Sequence, residues 1–153
     1  MRPARAADGR AQATLFAAVA EERDGIATEP PVDIDQRAAQ FARSAGTSIV
    51  AVADGRIIGG IHLEASRHGF AEFGMNVDRA WRGRGVGTAL VHAAIDFARG
   101  QGLHKLCLEV FPHNTAGIAL YTKCGFVEEG RRVKQYRRAN GEFWDSIVMG
   151  LLL

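Results

Sequence analysis

The sequence predicts an α/β domain: one mixed, mostly antiparallel sheet of six or seven strands, with helices on both of its faces. Three observations support this fold class. The chain has 153 residues, which suits one domain with a substantial core. Its hydrophobic pattern has a helical period at the start and changes to strand-like alternation after Gly46. Helical and strand-like segments then follow one another without a repeat or a linker.

Two helices are predicted in the first part of the chain. Asp8 stands where it would cap a helix over residues 9–22, whose apolar side chains recur at helical spacing. Two consecutive prolines then interrupt the pattern. Asp33 or Asp35 opens a second helix that runs to about Ser44.

A meander of three antiparallel strands follows these helices. Ser48–Ala53 and Arg56–Ala65 flank the dipeptide Asp54-Gly55, which is typical of a tight hairpin turn. Phe70–Val77 is the third strand. Gly74 inside it predicts a β-bulge or the close approach of another backbone.

The second half of the chain predicts an alternation of helices and strands. A helix that ends near Gly100 precedes a strand over Lys105–Phe111, and Asn114 caps a further helix to about Lys123. Two final strands, over residues 126–137 and 142–152, are joined by a turn at an Asn-Gly pair.

Composition excludes several classes of function. The formal net charge of +2 is too small to indicate binding to nucleic acid or to a membrane surface, and no apolar run reaches the ~18 residues of a membrane span. The five histidines and two cysteines have no metal-ligand spacing, so no metal is expected. Cys107 and Cys124 fit reduced thiols in a cytoplasmic protein.

The segment WRGRGVGTAL, Trp81–Leu90, is the strongest signal of a ligand site. A P-loop is excluded because Thr88, rather than lysine, follows Gly87. A dinucleotide-binding loop has its first two glycines in place, and Glu109 lies about 20 residues on, but the third glycine comes one position early. That alternative stays open, although an antiparallel meander precedes the segment.

The physical properties of the segment favour an anion site. A helix begins here, and its first backbone N–H groups have no partner within the helix. The positive end of the helix dipole lies at the same place. Glycines at 83, 85 and 87 leave room for a bulky anion, and Arg82 and Arg84 add positive charge. The segment therefore suits a pyrophosphate. The alternative is a tight turn flanked by solvated arginines.

Two motifs of the chain resemble the GCN5-related N-acetyltransferase superfamily. Arg82–Gly87 resembles its R/Q-x-x-G-x-G/A motif, and NTAGIALYTKCGFVEEG, from Asn114 to Gly130, resembles its N-x-x-A-x-x-L-Y segment. The resemblance implies one N-acetyltransferase domain over residues 1–153, with a helical acceptor-side part at 1–45 and an acetyl-CoA-binding core at 70–130. It also implies a V-shaped split between the two central strands.

The same resemblance implies a set of residues that bind acetyl-CoA. The pantetheine arm would add to the sheet through the backbone of the third meander strand, and the pyrophosphate would bind the amides of the glycine segment. Asn114 would contact the pantetheine end or serve only as a helix cap. The implied residues are Met75, Asn76, Val77, Arg82, Gly83, Arg84, Gly85, Val86, Gly87, Thr88 and Asn114.

The resemblance also implies two catalytic candidates. Tyr121 lies two helical turns beyond Asn114 and would protonate the leaving thiolate; the alternative is a half-buried aromatic residue. Glu72 would act as the general base; the alternative is a solvated strand residue, with water carrying the proton.

Two charged clusters have a structural and a functional interpretation. Glu21, Glu22, Asp24 and Glu29 form either a polar surface loop or a holder for a cationic amine. The basic residues between Arg131 and Arg138 form either a solvated sheet edge or a contact for an acidic ligand.

The predicted function is direct transfer of an acetyl group from acetyl-CoA to a primary amine of a small molecule, an amino acid or a peptide. An acyl-CoA-binding module without catalysis is the second hypothesis, and a nicotinamide-dependent oxidoreductase is the third. A homodimer would fit the resemblance, and neither nucleic acid nor a membrane is expected as a partner.

Overall fold

The computed structural model describes all 153 residues. Four α-helices and seven strands form the fold, and their order matches the predicted order. The helices are α1 (Gly9–Glu21), α2 (Ile34–Arg43), α3 (Val86–Gly100) and α4 (Thr115–Lys123). The strands are β1 (Arg2–Pro3), β2 (Ser48–Ala53), β3 (Arg56–Ala65), β4 (Phe70–Val77), β5 (Lys105–Val110), β6 (Val127–Arg137) and β7 (Phe143–Leu152).

All seven strands belong to one sheet, in the order β1-β2-β3-β4-β5-β7-β6. Neighbouring strands are antiparallel except for the central pair β4 and β5, which is parallel. The fold class predicted from the sequence is therefore confirmed.

The central parallel pair separates soon after it forms. β4 and β5 are in register only from Phe70 opposite Lys105 to Glu72 opposite Cys107. Both strands continue beyond these positions, each bonded to its outer neighbour. The sheet therefore has a V-shaped opening between β4 and β5 at their carboxyl ends.

The predicted bulge at Gly74 is wrong. β3 and β4 keep an unbroken register past this residue, which lies opposite His62. The irregularities of the sheet lie instead at Ala51/Val52 in β2 and within β6. Gly74 stands where β4 leaves β5, so the strand separation that the glycine suggested is achieved without an extra residue.

The two helix pairs lie on opposite faces of the sheet. A Cβ added at Gly59 would stand 3.1 Å from Leu90 of α3, whereas a Cβ added at Gly60 would stand 3.6 Å from Gln12 of α1. Because adjacent strand residues point to opposite faces, α3 covers one face and α1 the other. α2 packs against α1, and α4 against α3.

This geometry assigns a face to every residue of β4. Asn76 is the register partner of Gly60, so Glu72, Gly74 and Asn76 lie on the α1 face. Phe73 and Met75 lie on the α3 face with the buried core. Glu109 of β5 also lies on the α1 face, because its strand neighbours Leu108 and Val110 are buried on the other.

The predicted cap of α1 has a different role. Asp8 precedes α1, but its carboxylate does not bond the helix; it accepts hydrogen bonds from the Arg5 backbone N–H at 2.7 Å and from the Arg2 guanidinium at 2.7 and 2.9 Å. These bonds lower the pKa of Asp8 to about 2. Asp8 therefore fixes the amino-terminal strand beside α1. Asp33 does cap α2, through the Gln36 N–H.

Candidate active site

The opening between β4 and β5 exposes backbone hydrogen-bonding groups inside the sheet. The Asp78 N–H donates to Ile58, so even-numbered residues of β4 bond to β3 and odd-numbered residues point toward β5. Pairing with β5 ends at Glu72, so the backbone of Met75 points into the opening. The Val77 carbonyl accepts from Arg82 Nε at 3.0 Å instead. Of the three residues predicted to bind the pantetheine arm, Met75 is the one whose backbone N–H and C=O groups are free to bind a ligand.

The glycine segment forms the amino terminus of α3, as predicted. Gly85 has a left-handed backbone, with φ of 82°, and precedes the helix. The first hydrogen bond of the helix runs from the Ala89 N–H to the Gly85 carbonyl at 3.0 Å. The N–H groups of Val86, Gly87 and Thr88 therefore have no backbone acceptor. Three free donors at a helix amino terminus suit a phosphate group.

The packing of α4 also favours a glycine here. A Cβ at Gly87 would stand only 2.7 Å from Leu120 Cδ1 of α4 and 3.5 Å from Met75 Cε. A side chain at position 87 would require the Leu120 side chain to move. The segment thus combines free donors with close packing of the two helices that flank the split.

The two arginines of the segment have different surroundings. Arg82 forms a bidentate ion pair with Glu22 at the end of α1, with distances of 2.7 and 2.8 Å. Arg84 is exposed, and its guanidinium lies 5.2 Å from the centre of the Trp81 ring. Arg82 thus links the helix amino terminus to the other face of the sheet, while Arg84 keeps its charge free.

Both predicted residues of the α4 region lie beside the opening. The Asn114 side chain accepts the Gly117 N–H at 2.9 Å, so it caps α4, and it also lines the cavity described below. Tyr121 packs edge-on against Phe73 and Phe126, with ring centres 5.9 and 6.1 Å away. Burial raises the pKa of Tyr121 to about 12. Its hydroxyl therefore stays protonated at all ordinary pH values.

A carboxylate that was not predicted as catalytic lies in the cavity. Glu109 of β5 accepts hydrogen bonds from Ser146 Oγ at 2.6 Å and from the Tyr136 hydroxyl at 3.2 Å, and it pairs with Arg132. Burial, together with the neighbouring Glu109 charge, raises the pKa of Tyr136. These partners hold the Glu109 carboxylate in one orientation. The predicted base, Glu72, is exposed and does not line the cavity.

The loop between α1 and α2 is tied across the site by its own polar groups. The Asp24 carbonyl bonds His113 Nε2 at 2.7 Å, and Glu29 accepts the Ala139 N–H at 2.8 Å. Glu22 is paired with Arg82, as described above. Two carboxylates of the predicted acidic cluster, Glu22 and Glu29, therefore have partners within the protein.

The solvated sheet edge predicted for the basic residues of β6 is wrong at Arg138. Arg138 is only 4% exposed, and its guanidinium lies 4.2 Å from the centre of the Trp144 ring. Nη1 donates to the Ala27 carbonyl at 2.8 Å, and Nε lies 3.7 Å from Glu29 Oε1. The chain turns inward just beyond β6, so the aromatic side chains and Glu29 enclose this charge.

The opening, the start of α3, the two α4-region residues and Glu109 border one cavity of about 870 Å³. Most predicted site residues line it; Glu72, Arg84 and Val86 do not. Lining residues that the sequence interpretation missed include Gln12, Arg37, Glu109, Tyr136 and Ser146. The sequence pattern could have indicated Glu109, because this single carboxylate alternates with the apolar residues Leu108 and Val110 in a central strand.

The fold contains neither a metal-ligand cluster nor a membrane-spanning helix. No group of three or more His, Cys, Asp or Glu side chains is arranged to hold a metal ion. None of the helices combines the length and the apolar character that crossing a membrane requires.

Sequence comparisons identify similar proteins. The sequence model of the acetyltransferase (GNAT) family matches residues 14–126. The chain is 34% identical over 106 residues to an L-amino acid N-acetyltransferase, AaaT, of Escherichia coli, covering 66% of this chain and 65% of that protein. It is 32% identical over 137 residues to an L-methionine sulfoximine/L-methionine sulfone acetyltransferase of Pseudomonas aeruginosa, covering 84% and 79%.

A further relative is matched over a shorter segment. The chain is 35% identical over 86 residues to a spermidine N(1)-acetyltransferase of Vibrio cholerae, covering 56% of this chain and 49% of that protein. The matched region thus spans less than two thirds of AaaT and about half of this enzyme.

Solved structures share the whole fold. A ribosomal-protein-alanine N-acetyltransferase from Brucella melitensis has a TM-score of 0.90 at 26% identity, over 99% of this chain and 98% of that one. The structure of yncA from Salmonella typhimurium with its cofactor acetyl-CoA has a TM-score of 0.89 at 24% identity, over 99% and 92%. At that identity the second comparison concerns the fold alone.

The free donors at the start of α3 predict binding of coenzyme A, which a Gly85→Asp variant should abolish. Asp places a side chain and a negative charge where the pyrophosphate would bind. We expect coenzyme A to raise the melting temperature of the unmodified protein and to leave that of the variant unchanged. Thermal denaturation with and without coenzyme A measures both.

Gly55→Asp is the matched control. Gly55 also has a left-handed backbone, with φ of 73°, and an added Cβ meets nothing within 4 Å at either glycine. Both variants should therefore lose similar stability without ligand, on the order of 1 kcal/mol. A full coenzyme A shift in Gly85→Asp, or its loss in Gly55→Asp, would contradict the assignment.

Proposed function

The chain belongs to the acetyltransferase (GNAT) family, and from this premise we propose that it transfers an acetyl group from acetyl-CoA to a primary amine. The observation that supports the proposal most strongly is the opening between β4 and β5, which lies beside the free N–H groups at the start of α3. A strand edge and a helix amino terminus at one opening suit a ligand that carries both amides and a pyrophosphate.

Residues of this chain fit both parts of acetyl-CoA. The N–H groups of Val86, Gly87 and Thr88 would bind the pyrophosphate, with Arg84 adding charge. The backbone of Met75 would pair with the pantetheine arm, and Asn114 would contact its thiol end. When bound, acetyl-CoA supplies the thioester carbonyl that the amine attacks, and the C–S bond breaks to release coenzyme A.

The amine acceptor would approach from the opposite face. α3 and α4 carry the donor-binding groups, whereas Glu109 and Asn76 lie on the α1 face. The opening joins the two faces, so the two substrates would meet within the sheet.

Glu109 is the residue that we assign to the amine. It is the carboxylate on the acceptor face of β5, and Ser146 and Tyr136 fix its orientation. A cationic ammonium group would be drawn to it and oriented toward the opening. The amine must lose a proton before attack, and a water molecule beside Glu109 would take it. We prefer Glu109 to Glu72 because Glu72 does not line the cavity.

Tyr121 is the residue that we assign to the leaving thiolate. It lines the cavity from α4, on the donor face, and its pKa of about 12 keeps its hydroxyl protonated. Tyr121 would donate this proton to the sulfur as the C–S bond breaks, so that the leaving group departs as a thiol, and the phenol would regain a proton from solvent, which receives the proton lost by the amine.

The acceptor that we propose is a small amine, with free amino acids as the first class to test. Relatives named for L-amino acids and for L-methionine derivatives support this choice. We further propose a cytoplasmic location, which fits the two free cysteines.

A homodimer stays a prediction. A binding module without catalysis would retain coenzyme A but transfer no acetyl group.

Tyr121→Phe tests the assigned proton donor. The change removes the hydroxyl and keeps the ring that packs on Phe73 and Phe126, so the fold should be retained. We expect kcat to fall on the order of 10²-fold, with KM for acetyl-CoA unchanged, because the proton is needed only in the transition state. Steady-state kinetics measure both.

The pH profile adds a second readout for Tyr121. With a pKa of about 12, ionisation of Tyr121 should cause no fall in kcat below pH 10. Equal kcat values for the variant and the unmodified enzyme would reduce Tyr121 to a packing residue.

Glu109→Gln and Glu72→Gln form a matched pair on neighbouring strands. Each removes one negative charge with little change in shape. We expect Glu109→Gln to lower kcat/KM for the amine about 10- to 100-fold, the usual range for a charge-assisted hydrogen bond. Glu72→Gln should change it less than twofold. A larger loss of kcat/KM for the amine in Glu72→Gln than in Glu109→Gln would instead assign the binding of the amine to Glu72.

A further inference from the structure

A recess of the cavity lies between α1, α2 and the sheet face that carries Glu109. Phe16 of α1 and Phe41 of α2 form two of its walls, with their ring centres 6.0 Å apart in an edge-on arrangement. Both side chains line the cavity. The recess is therefore on the side from which the proposed acceptor would approach.

A cation without an ionic partner lies at this recess. Arg37 of α2 lines the cavity, and its guanidinium lies 4.3 Å from the centre of the Phe16 ring. It forms no ion pair within 4.0 Å. The two acidic residues at the amino terminus of α2 have other partners, because Asp33 caps the helix and Asp35 pairs with Arg10.

A second donor lies one helical turn from Phe16. Gln12 is 5% exposed and lines the cavity, and its Nε2 has no hydrogen-bond partner. A buried donor without an acceptor costs free energy, so in folded proteins such a donor normally has a hydrogen-bond partner. A Cβ added at Gly60 would stand 3.6 Å from Gln12 Oε1 and 3.8 Å from Asn76 Oδ1, so the amide oxygen of Gln12, rather than Nε2, lies toward the sheet.

The charged side chains that line the cavity differ in whether they have an ionic partner. Glu109 of β5 carries a negative charge that Arg132 already pairs, whereas Arg37 of α2 carries a positive charge without an ion pair. Arg82, another cavity cation, is already neutralised by Glu22. The unpaired charge of Arg37 suits a carboxylate on the ligand, and the proposed reaction requires that the same ligand carry an amine.

We propose that the recess binds the carboxylate of the acceptor, with Arg37 as its ionic partner and Gln12 as a second donor. The preferred acceptors are then amines that also carry a carboxylate, with the ammonium group at Glu109. This inference rests on the proposed function and narrows its substrate class. The apolar rings of Phe16 and Phe41 strengthen the ion pair by excluding water from it.

Arg37→Met and Arg43→Met test the inference as a matched pair. Both residues lie on α2, and both changes remove one positive charge and keep an unbranched side chain. Arg43 is exposed, does not line the cavity and forms no ion pair. Only Arg37→Met should therefore affect the recess.

The substrates are L-leucine and L-phenylalanine, each compared with the amine that lacks its carboxylate, 3-methylbutylamine and 2-phenylethylamine. We expect Arg37→Met to lower kcat/KM for the amino acids about 10- to 100-fold and to leave that for the amines within twofold. Arg43→Met should change neither. Equal losses for both substrate types, or no loss, would overturn the inference.

Binding measured without turnover separates this inference from the proposed function. L-Leucine and L-phenylalanine are titrated by calorimetry into protein saturated with coenzyme A. Binding by the unmodified protein and Arg43→Met, with loss in Arg37→Met, supports the recess even if no acetyl group is transferred. Amine acetylation with no Arg37-dependent amino acid binding would leave the proposed function intact and overturn this inference.

Gln12→Leu provides a second variant with a distinct signature. Leucine replaces an amide whose Nε2 has no partner, so the melting temperature without ligand should stay the same or rise. Amino acid binding should nevertheless weaken at least threefold. A lower melting temperature with unchanged binding would assign Gln12 a structural role and remove it from the recess.

Discussion

The organisation of this protein depends on backbone groups that the sheet cannot pair by itself. β4 and β5 share only the register from Phe70 to Glu72, and beyond it the strand edge at Met75 faces an opening rather than another strand. Buried N–H and C=O groups normally find partners. A ligand that enters as an additional strand would supply them. The donor site that we propose would thus be a consequence of how the central strands diverge.

The surrounding elements keep this opening from closing. Phe73, Tyr121 and Phe126 pack edge-on against one another below it. α4 sits close to the start of α3 because Gly87 has no side chain to meet Leu120. On the other face, the loop after α1 is anchored to the α3 terminus and to the β6–β7 hairpin. Individually, exposed ion pairs such as Arg82–Glu22 contribute little, but together with backbone bonds they fix the acceptor side relative to the donor side.

The sequence predicts those features that are local. Free donors follow from three glycines at the start of a helix, and the cap at Asn114 follows from its position before α4. The roles of Glu109, Arg37 and Arg138 depend on residues far away in the chain: Ser146 and Tyr136 orient Glu109, Phe16 faces Arg37, and Trp144 encloses Arg138. A glycine within a strand is compatible with both a bulge and a separation of neighbouring strands. The sequence therefore predicted a bulge at Gly74, and only the pairing of β4 with β3 and β5 distinguishes the two.

The most direct test of the account is a crystal structure of the protein with coenzyme A bound. We expect the pyrophosphate at the N–H groups of Val86–Thr88, an amide of the pantetheine arm hydrogen-bonded to the backbone of Met75, and the sulfur between Tyr121 and Glu109. Coenzyme A bound outside the opening, or bound with its sulfur away from both side chains, would contradict the claim that the divergence of β4 and β5 creates the active site.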